Sequence, residues 1–81
     1  MSPLKIGIIG LGNVGRGTLR ILADNASLIE HKLGFALEVA AICSRSILSA
    51  PPPEAEAFPK AKRTADWHEV TANSGIQIVV E

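Results

Sequence analysis

The sequence predicts an α/β fold in which a parallel sheet is assembled from strand–helix–strand units. Two short apolar runs rich in β-branched residues, 4–9 and 37–43, are typical of strands buried on both faces of such a sheet. The long segment between them has the apolar spacing of a helix. Because strands alternate with helices, we expect parallel pairing with right-handed crossovers.

The first crossover is predicted to be one long helix that ends before Gly34. Its apolar residues recur at spacings of four and three and define one buried face. They are Gly15, Leu19, Leu22, Ala26, Ile29 and Leu33. The residues predicted to face solvent are Arg16, Arg20, Asp24 and Ser27. Gly34 directly follows the last apolar position, where a left-handed glycine commonly ends a helix.

The second half of the chain is predicted to hold a loop, a short helix and a last strand. The loop, 44–63, contains four of the five prolines, and Pro53 suits the first position of a helical turn. Asp66 and Glu69 have the spacing of a capping box, which predicts a helix from Trp67 to about residue 73. Residues 76–80 form the last predicted strand.

The composition argues against several classes of partner. The 81 residues carry eight basic and eight acidic side chains, so bulk charge does not favour a nucleic acid or a membrane surface. Glycines interrupt the apolar N-terminus, unlike a signal peptide, and no apolar run approaches the roughly 20 residues of a membrane span. The single Cys43 suits a reducing compartment. We expect a cytoplasmic globular unit with no nucleic-acid or membrane partner.

The glycines after the first predicted strand indicate a dinucleotide-binding loop. Gly10, Gly12 and Gly15 spell G-x-G-x-x-G between a strand and a helix, which is the context that makes this pattern informative. They would allow a tight turn, the approach of a pyrophosphate and close helix packing, respectively. Backbone N–H groups at the helix start, including those of Asn13 and Val14, suit an anion. The alternative is a glycine-rich turn without a ligand. The pattern favours a partial Rossmann-type NAD(P)-binding fold.

The end of the second strand favours NADP, with NAD as the alternative. NAD-binding domains usually carry an acid there, but this chain has Ser44, Arg45 and Ser46, which suit a 2′-phosphate. Lys60, Lys62 and Arg63 follow the last proline of the loop and offer a second cation, for which we select Lys62. The alternative for Arg45 and Lys62 is an ordinary solvated charge. The predicted cofactor contacts are Gly10, Leu11, Gly12, Asn13, Val14, Gly15, Ser44, Arg45, Ser46 and Lys62.

Other residues are predicted to have structural roles. His31 and His68 have no second ligand at metal spacing, so we predict no metal site. Trp67 is predicted to be a packing residue. Gly7 and Gly17 lie outside the glycine motif, and we expect them to allow close packing around the strand and the helix.

The sequence resembles the N-terminal cofactor domain of homoserine dehydrogenases. The resemblance lies in GLGNVGRGTLRIL, NASLIEHKLG, ALEVAAICSRS and TADWHEVTANSGIQIVVE, which together span nearly the whole chain. About thirty residues separate Gly15 from Arg45, whereas roughly twenty are usual in dinucleotide folds. The resemblance implies NAD(P)-dependent interconversion of aspartate 4-semialdehyde and homoserine, in threonine and methionine biosynthesis.

The resemblance carries over cofactor positions and no catalytic residue. It implies that the family's catalytic lysine and aspartate, substrate domain and dimer-forming sheet lie beyond Glu81. We therefore expect residues 1–81 to be the N-terminal part of a dinucleotide-binding domain, inactive in isolation, with strand order 3-2-1-4. Its last strand would lack a neighbour and favour self-association or pairing with the remaining chain. The alternatives are a non-catalytic nucleotide-sensing module or another dehydrogenase of a small amino acid or semialdehyde.

Overall fold

The fold is a parallel sheet with helices on both faces. A computed structural model describes residues 3–81. Its strands are β1 (Leu4–Ile9), β2 (Leu37–Cys43), β3 (Lys62–Thr64) and β4 (Ile78–Val80). Its α-helices are α1 (Asn13–Asp24), α2 (Ala26–Leu33) and α3 (His68–Thr71), and a 3₁₀ helix covers Pro53–Ala57. The structure confirms the predicted α/β class.

The strands lie side by side in the order β3-β2-β1-β4, and every neighbouring pair is parallel. This agrees with the predicted order 3-2-1-4, although only three of the four strands were located in the sequence. The register aligns Ile9 with Cys43 and Cys43 with Thr64. The carboxyl ends of β1, β2 and β3 therefore meet at one edge of the sheet, which is where open α/β sheets bind ligands.

The strand predictions are confirmed for β1 and β2, whose observed bounds equal the predicted ones. The last strand is shorter than predicted and begins at Ile78. The prediction of a loop through residue 63 is wrong at its end, because β3 begins at Lys62 and pairs with β2. Its three residues are polar, so their sequence carries no apolar strand pattern.

Two clusters of buried side chains cover opposite faces of the sheet. Ile8 and Ile42 pack with Leu19 of α1 in the larger cluster. The smaller cluster contains Cys43 of β2 and Val70 of α3. Since alternate residues of a strand point to opposite faces, β1 supplies both clusters. The core thus fixes α1 on one face and α3 on the other.

The prediction of one long helix is wrong, because Asn25 divides it into α1 and α2. The backbone N–H and the side-chain amide of Asn25 both donate to the Ile21 carbonyl, at 3.0 and 2.9 Å. Such side-chain competition with the backbone is typical of asparagine at helix ends. Gly34 ends α2 with φ 81° and donates to the Glu30 carbonyl at 2.8 Å, which confirms the predicted C-cap.

The predicted capping box at α3 is wrong, and α3 is shorter than predicted. The Asp66 carboxylate accepts the His68 N–H at 3.0 Å. Glu69, however, does not reach back to the Asp66 N–H, which instead donates to the Thr64 hydroxyl at 3.0 Å. The Glu69 carboxylate accepts the Thr64 hydroxyl and pairs with Lys62. Glu69 therefore ties α3 to β3 rather than capping α3.

The predicted turn at Pro53 is present as a 3₁₀ helix that packs on α1. Glu54 forms ion pairs with Arg16 at 3.2 Å and with Arg20 at 3.0 Å. Its own backbone N–H and the Arg16 guanidinium, with a further contribution from Arg20, lower the pKa of Glu54. The proline-rich segment is thus held against the solvent side of α1 by charge.

Gly7 and Gly17 differ in their surroundings. A Cβ on Gly7 would collide with Cγ1 of the buried Val70, which confirms the expected close packing between β1 and α3. A Cβ on Gly17 would meet no atom of the described residues within 4 Å, so the same expectation is wrong for Gly17.

Candidate dinucleotide-binding site

Gly10 makes the turn that leads from β1 to α1. Its φ is +90°, a left-handed conformation that side-chain-bearing residues rarely adopt. Its N–H donates to the Cys43 carbonyl at 2.8 Å, which continues the pairing of β1 with β2 by one residue. The chain therefore turns sharply away from the sheet at the carboxyl end of β1.

Gly15 allows α1 to lie directly against this turn. A Cβ on Gly15 would collide with the Gly10 carbonyl oxygen. Gly15 is buried, and Leu11 between the two glycines packs against the larger core cluster. The glycine at position 15 thus sets the close distance between the helix start and the strand end, as the sequence predicts.

Gly12 faces open space at the start of α1. It is the N-cap residue, with φ −76° and ψ −166°, and no described atom lies within 4 Å of the position of a Cβ. Its carbonyl accepts the Arg16 N–H at 3.0 Å, which is the first bond of the helix. Asn13 and Val14 follow, so their N–H groups have no acceptor within the helix.

The start of α1 is electrostatically suited to an anion. A helix N-terminus carries a partial positive charge, equivalent to about half an elementary charge. No acidic residue lies in the first turn of α1, and the nearby Glu54 carboxylate is paired with Arg16 and Arg20. The open space at Gly12 and the unpaired N–H groups therefore fit a phosphate group.

A pocket of about 480 Å³ opens beside this turn, at the carboxyl ends of β1, β2 and β3. The loop after β2 contributes its polar side, and the segment after β3 contributes Ala65 and Trp67. The lining residues are Ile9, Gly10, Leu11, Cys43, Ser44, Arg45, Ser46, Ala65 and Trp67. The structure thus brings together five of the predicted cofactor contacts.

Ser44 and Arg45 present polar groups that the described residues leave without partners. The Ser44 N–H donates to the Thr64 carbonyl at 3.2 Å, which fixes the backbone beside the pocket. The Ser44 hydroxyl oxygen is buried and has no hydrogen-bond partner within residues 3–81. No carboxylate in that range pairs with Arg45, which is exposed. The exposed Arg45 guanidinium is therefore accessible to an anion.

Lys62 does not line this pocket. Its ammonium nitrogen lies 2.8 Å from the Glu69 carboxylate, on β3. Asn13 and Val14 also lie outside the pocket lining, at the helix start. The predicted contacts therefore fall into three places, namely the pocket, the first turn of α1 and β3.

Trp67 is a site residue that the sequence analysis missed. The prediction that it packs in the protein is wrong, since its side chain is 51% exposed. It lines the pocket together with Arg45. The sequence carries no local signal for this position, because the pairing of β3 with β2 that brings Trp67 to the pocket is visible only in the structure.

Cys43 lies at the pocket but is poorly suited to act as a nucleophile. Burial raises the pKa of its thiol, and the carboxylates of Asp66 and Glu69 raise it further. A raised pKa lowers the fraction of reactive thiolate.

The described range contains neither a cluster of metal ligands nor a helix that could span a membrane. No group of three or more His, Cys, Asp or Glu side chains in residues 3–81 is placed to hold a metal ion. The longest helix in that range has 12 residues, whereas about 20 are needed to cross a membrane.

Homoserine dehydrogenases match this chain both in sequence and in structure. Residues 10–81 match the family model described as the NAD binding domain of homoserine dehydrogenase. Homoserine dehydrogenases of Pseudomonas aeruginosa and Neisseria gonorrhoeae are 41% and 36% identical over 81 residues. The crystal structure of Staphylococcus aureus homoserine dehydrogenase at pH 7.0 matches 98% of this chain, with 25% identity and a TM-score of 0.82.

The chain corresponds to a small part of these proteins. It covers 18% of the length of the two sequence relatives and 19% of the crystallised chain. The similarity confirms the resemblance inferred from the sequence and the Rossmann-type fold.

Proposed function

Because this chain belongs to the family of homoserine dehydrogenase NAD-binding domains, we propose that it is the cofactor-binding part of an enzyme that interconverts aspartate 4-semialdehyde and homoserine. The relatives are whole homoserine dehydrogenases, of which this chain covers 18%. The bound nicotinamide supplies or accepts the hydride in such a reaction. The residues of this chain bind and orient the cofactor.

The observation that carries the proposal is the open space at Gly12, in front of the first turn of α1. A pyrophosphate can approach the backbone only where no side chain intervenes. Gly10 supplies the left-handed turn that exposes the helix start, and Gly15 lets α1 pack against that turn. The three glycines thus serve one function, which is to expose backbone N–H groups to a phosphate.

We further propose that the site prefers NADP to NAD. Arg45 is a cation at the pocket with no carboxylate partner in the described chain, and the buried Ser44 hydroxyl lacks a hydrogen bond there. A 2′-phosphate would accept a charge-assisted hydrogen bond from the Arg45 guanidinium. Lys62 is the proposed second cation, and it would have to leave Glu69 to act.

We also propose that residues 1–81 do not catalyse the reaction by themselves. Hydride transfer requires the substrate to be held against the nicotinamide. The proposed roles of the residues at the pocket are all in cofactor binding, and the raised pKa of Cys43 argues against covalent chemistry there. A substrate domain with the catalytic groups would complete the enzyme, which would act in threonine and methionine biosynthesis.

Substitution of Gly12 tests the proposal directly. Gly12→Val places a branched side chain in the space proposed for the pyrophosphate, so we expect NADPH binding to be lost. Because no described atom lies near this position, the fold should survive, as measured by circular dichroism. Gly17→Ala, also in an open position on α1, is the matched control and should bind NADPH normally. Unchanged affinity of Gly12→Val in calorimetric titration would contradict the proposal.

A further inference from the structure

Trp67 is the one tryptophan of the chain, and it lies at the candidate site. Half of its side chain is exposed, although an indole is largely apolar and is usually buried when it serves only packing. It belongs to the segment that leaves β3 at the same sheet edge where Gly10 leaves β1. An exposed aromatic ring in a pocket indicates a surface for a ligand.

The orientation of the indole is fixed by its neighbours. The His68 imidazole stacks on it, with ring centroids 3.7 Å apart and an interplanar angle of 26°. Asp66 in turn holds His68, because the same carboxylate oxygen lies 2.8 Å from Nδ1 and accepts the backbone N–H at 3.0 Å. These contacts therefore favour one orientation of the indole, and such preorganisation reduces the entropy cost of binding.

His68 covers the indole without lining the pocket. Trp67 and Ala65 do line it, so Trp67 borders the pocket while it also stacks on the imidazole. Ile9 adds a further apolar contribution, whereas Ser44 and Arg45 form the polar part of the lining. The pocket thus combines a flat apolar surface with a cationic group.

We propose that Trp67 is the stacking surface for the adenine ring of the dinucleotide. This inference rests on the proposed function and assigns Trp67 as a binding residue within that site. A purine presents a flat π-face, and stacking on an aromatic side chain contributes substantially to its binding. The ring of Trp67, fixed by His68 and Asp66, offers such a face beside the proposed phosphate ligand Arg45.

The position of Arg45 favours adenine over nicotinamide as the ring that Trp67 binds. In NADP the 2′-phosphate and the adenine are attached to the same ribose, so their binding groups must share one pocket. Arg45 and Trp67 do share it. The nicotinamide lies across the pyrophosphate, which the proposed site places at Gly12 and the start of α1.

Fluorescence of the 81-residue chain can test this assignment, because Trp67 is its one tryptophan. The chain is titrated with adenosine 2′,5′-bisphosphate and, separately, with nicotinamide mononucleotide. We expect saturable quenching by the adenosine compound and none by the nicotinamide compound at equal concentration. Quenching by the nicotinamide compound alone would overturn the assignment.

Calorimetry with variants provides a second measurement. Trp67→Ala should weaken binding of adenosine 2′,5′-bisphosphate by about 5- to 150-fold, the range measured for loss of one base–aromatic stack. Trp67→Phe keeps an aromatic face and should retain most of the affinity. Leu28→Ala, which shortens an exposed apolar side chain on α2 away from the pocket, is the matched control. Circular dichroism establishes that each variant is folded.

The outcomes separate this inference from the proposed function. If the wild-type chain binds NADPH and Trp67→Ala binds adenosine 2′,5′-bisphosphate equally well, the adenine assignment is overturned while the proposed function stands. If the folded wild-type chain binds neither NADPH nor the adenosine compound, both are overturned. Selective loss in Trp67→Ala with retention in Trp67→Phe supports the assignment.

Discussion

Lys62 and Glu69 form an ion pair that joins β3 to α3, with the ammonium nitrogen 2.8 Å from the carboxylate oxygen. Lys62 and the Thr64 hydroxyl both lower the pKa of Glu69. A cation that is already paired with a carboxylate gains less binding free energy from a phosphate than an unpaired cation does. Among the two cations proposed for the 2′-phosphate, Arg45 is therefore expected to contribute more.

Replacing Arg45 by alanine should reduce NADPH affinity selectively. A hydrogen bond to a charged group contributes about 1.5–3 kcal/mol, which corresponds to a loss of roughly ten- to a hundredfold. NADH lacks the 2′-phosphate, so its affinity should change little. Lys62→Ala should have a smaller effect because Lys62 is paired with Glu69. Calorimetric titration with both cofactors measures this, with Arg20→Ala as control. Equal losses for NADPH and NADH would remove Arg45 from the phosphate site.

Replacing Gly7 and Gly17 by alanine should change the free energy of unfolding in opposite directions. In Gly7→Ala the new methyl group collides with Val70, and overpacking of a core typically costs about 1–3 kcal/mol. In Gly17→Ala the methyl group enters open space within α1, where alanine favours the helix by about 0.5–1 kcal/mol. Urea unfolding of both variants gives the two changes in the free energy of unfolding. A Gly7→Ala protein as stable as the wild type would show that Val70 can move aside.

The contribution of Glu54 to stability should depend on pH. Its backbone N–H, Arg16 and Arg20 lower its folded-state pKa below the unfolded-state value of about 4.3. The stabilisation is therefore fully present above about pH 4.3 and is lost as the pH falls through the folded-state pKa. Glu54→Gln should be less stable than the wild type at pH 7, and the difference should vanish in acid. The measurement is urea unfolding between pH 7 and pH 3.

Glu56→Gln is the matched control for this experiment. Glu56 lies on the same 3₁₀ helix, is exposed, and is in none of the ion pairs of the described chain. A difference between Glu54→Gln and the wild type that stays constant down to pH 3 would rule out the ion pairs as its source.

Strand β4 should promote self-association of the 81-residue chain. It is an edge strand of the sheet, paired with β1, and its Ile78 and Val79 are 43% and 38% exposed. An exposed apolar edge can pair with another chain. We expect sedimentation velocity to show dimers or larger species, or amide exchange to show partial order in β4. Val79→Lys, which adds a charge to that edge, should shift the chain toward the monomer.

A stable monomer with well-protected amides in β4 at tens of micromolar would contradict this expectation. It would mean that the sheet of the 81-residue chain closes its own edge.

The apolar strands and the glycine turn were predictable because their signals are local. In β1 and β2 a short β-branched run bounded by turn residues defines the strand, and the bounds agreed with the structure. In the glycine loop each glycine meets a local requirement of the backbone, such as the φ of +90° at Gly10. Local backbone chemistry is visible in the sequence.

The features that the sequence did not predict depend on tertiary contacts that no sequence motif specifies. Strand β3 is polar, and its identity as a strand follows from pairing with β2. Glu69 binds Lys62 and Thr64 rather than capping α3 because β3 lies beside it. Trp67 becomes a pocket residue only because the ends of β2 and β3 are adjacent in space. None of these contacts joins residues whose spacing in the sequence defines a known motif.

Helix α2 adds length to the first crossover without adding to the core, since none of its side chains is buried. Asn25 gives it a separate beginning and Gly34 a separate end. Because α1 and not α2 packs against the Gly10 turn, we expect a change in the length of α2 to leave that turn undisturbed. The long spacing between Gly15 and Arg45 in this chain therefore includes a segment where inserted residues should be tolerated.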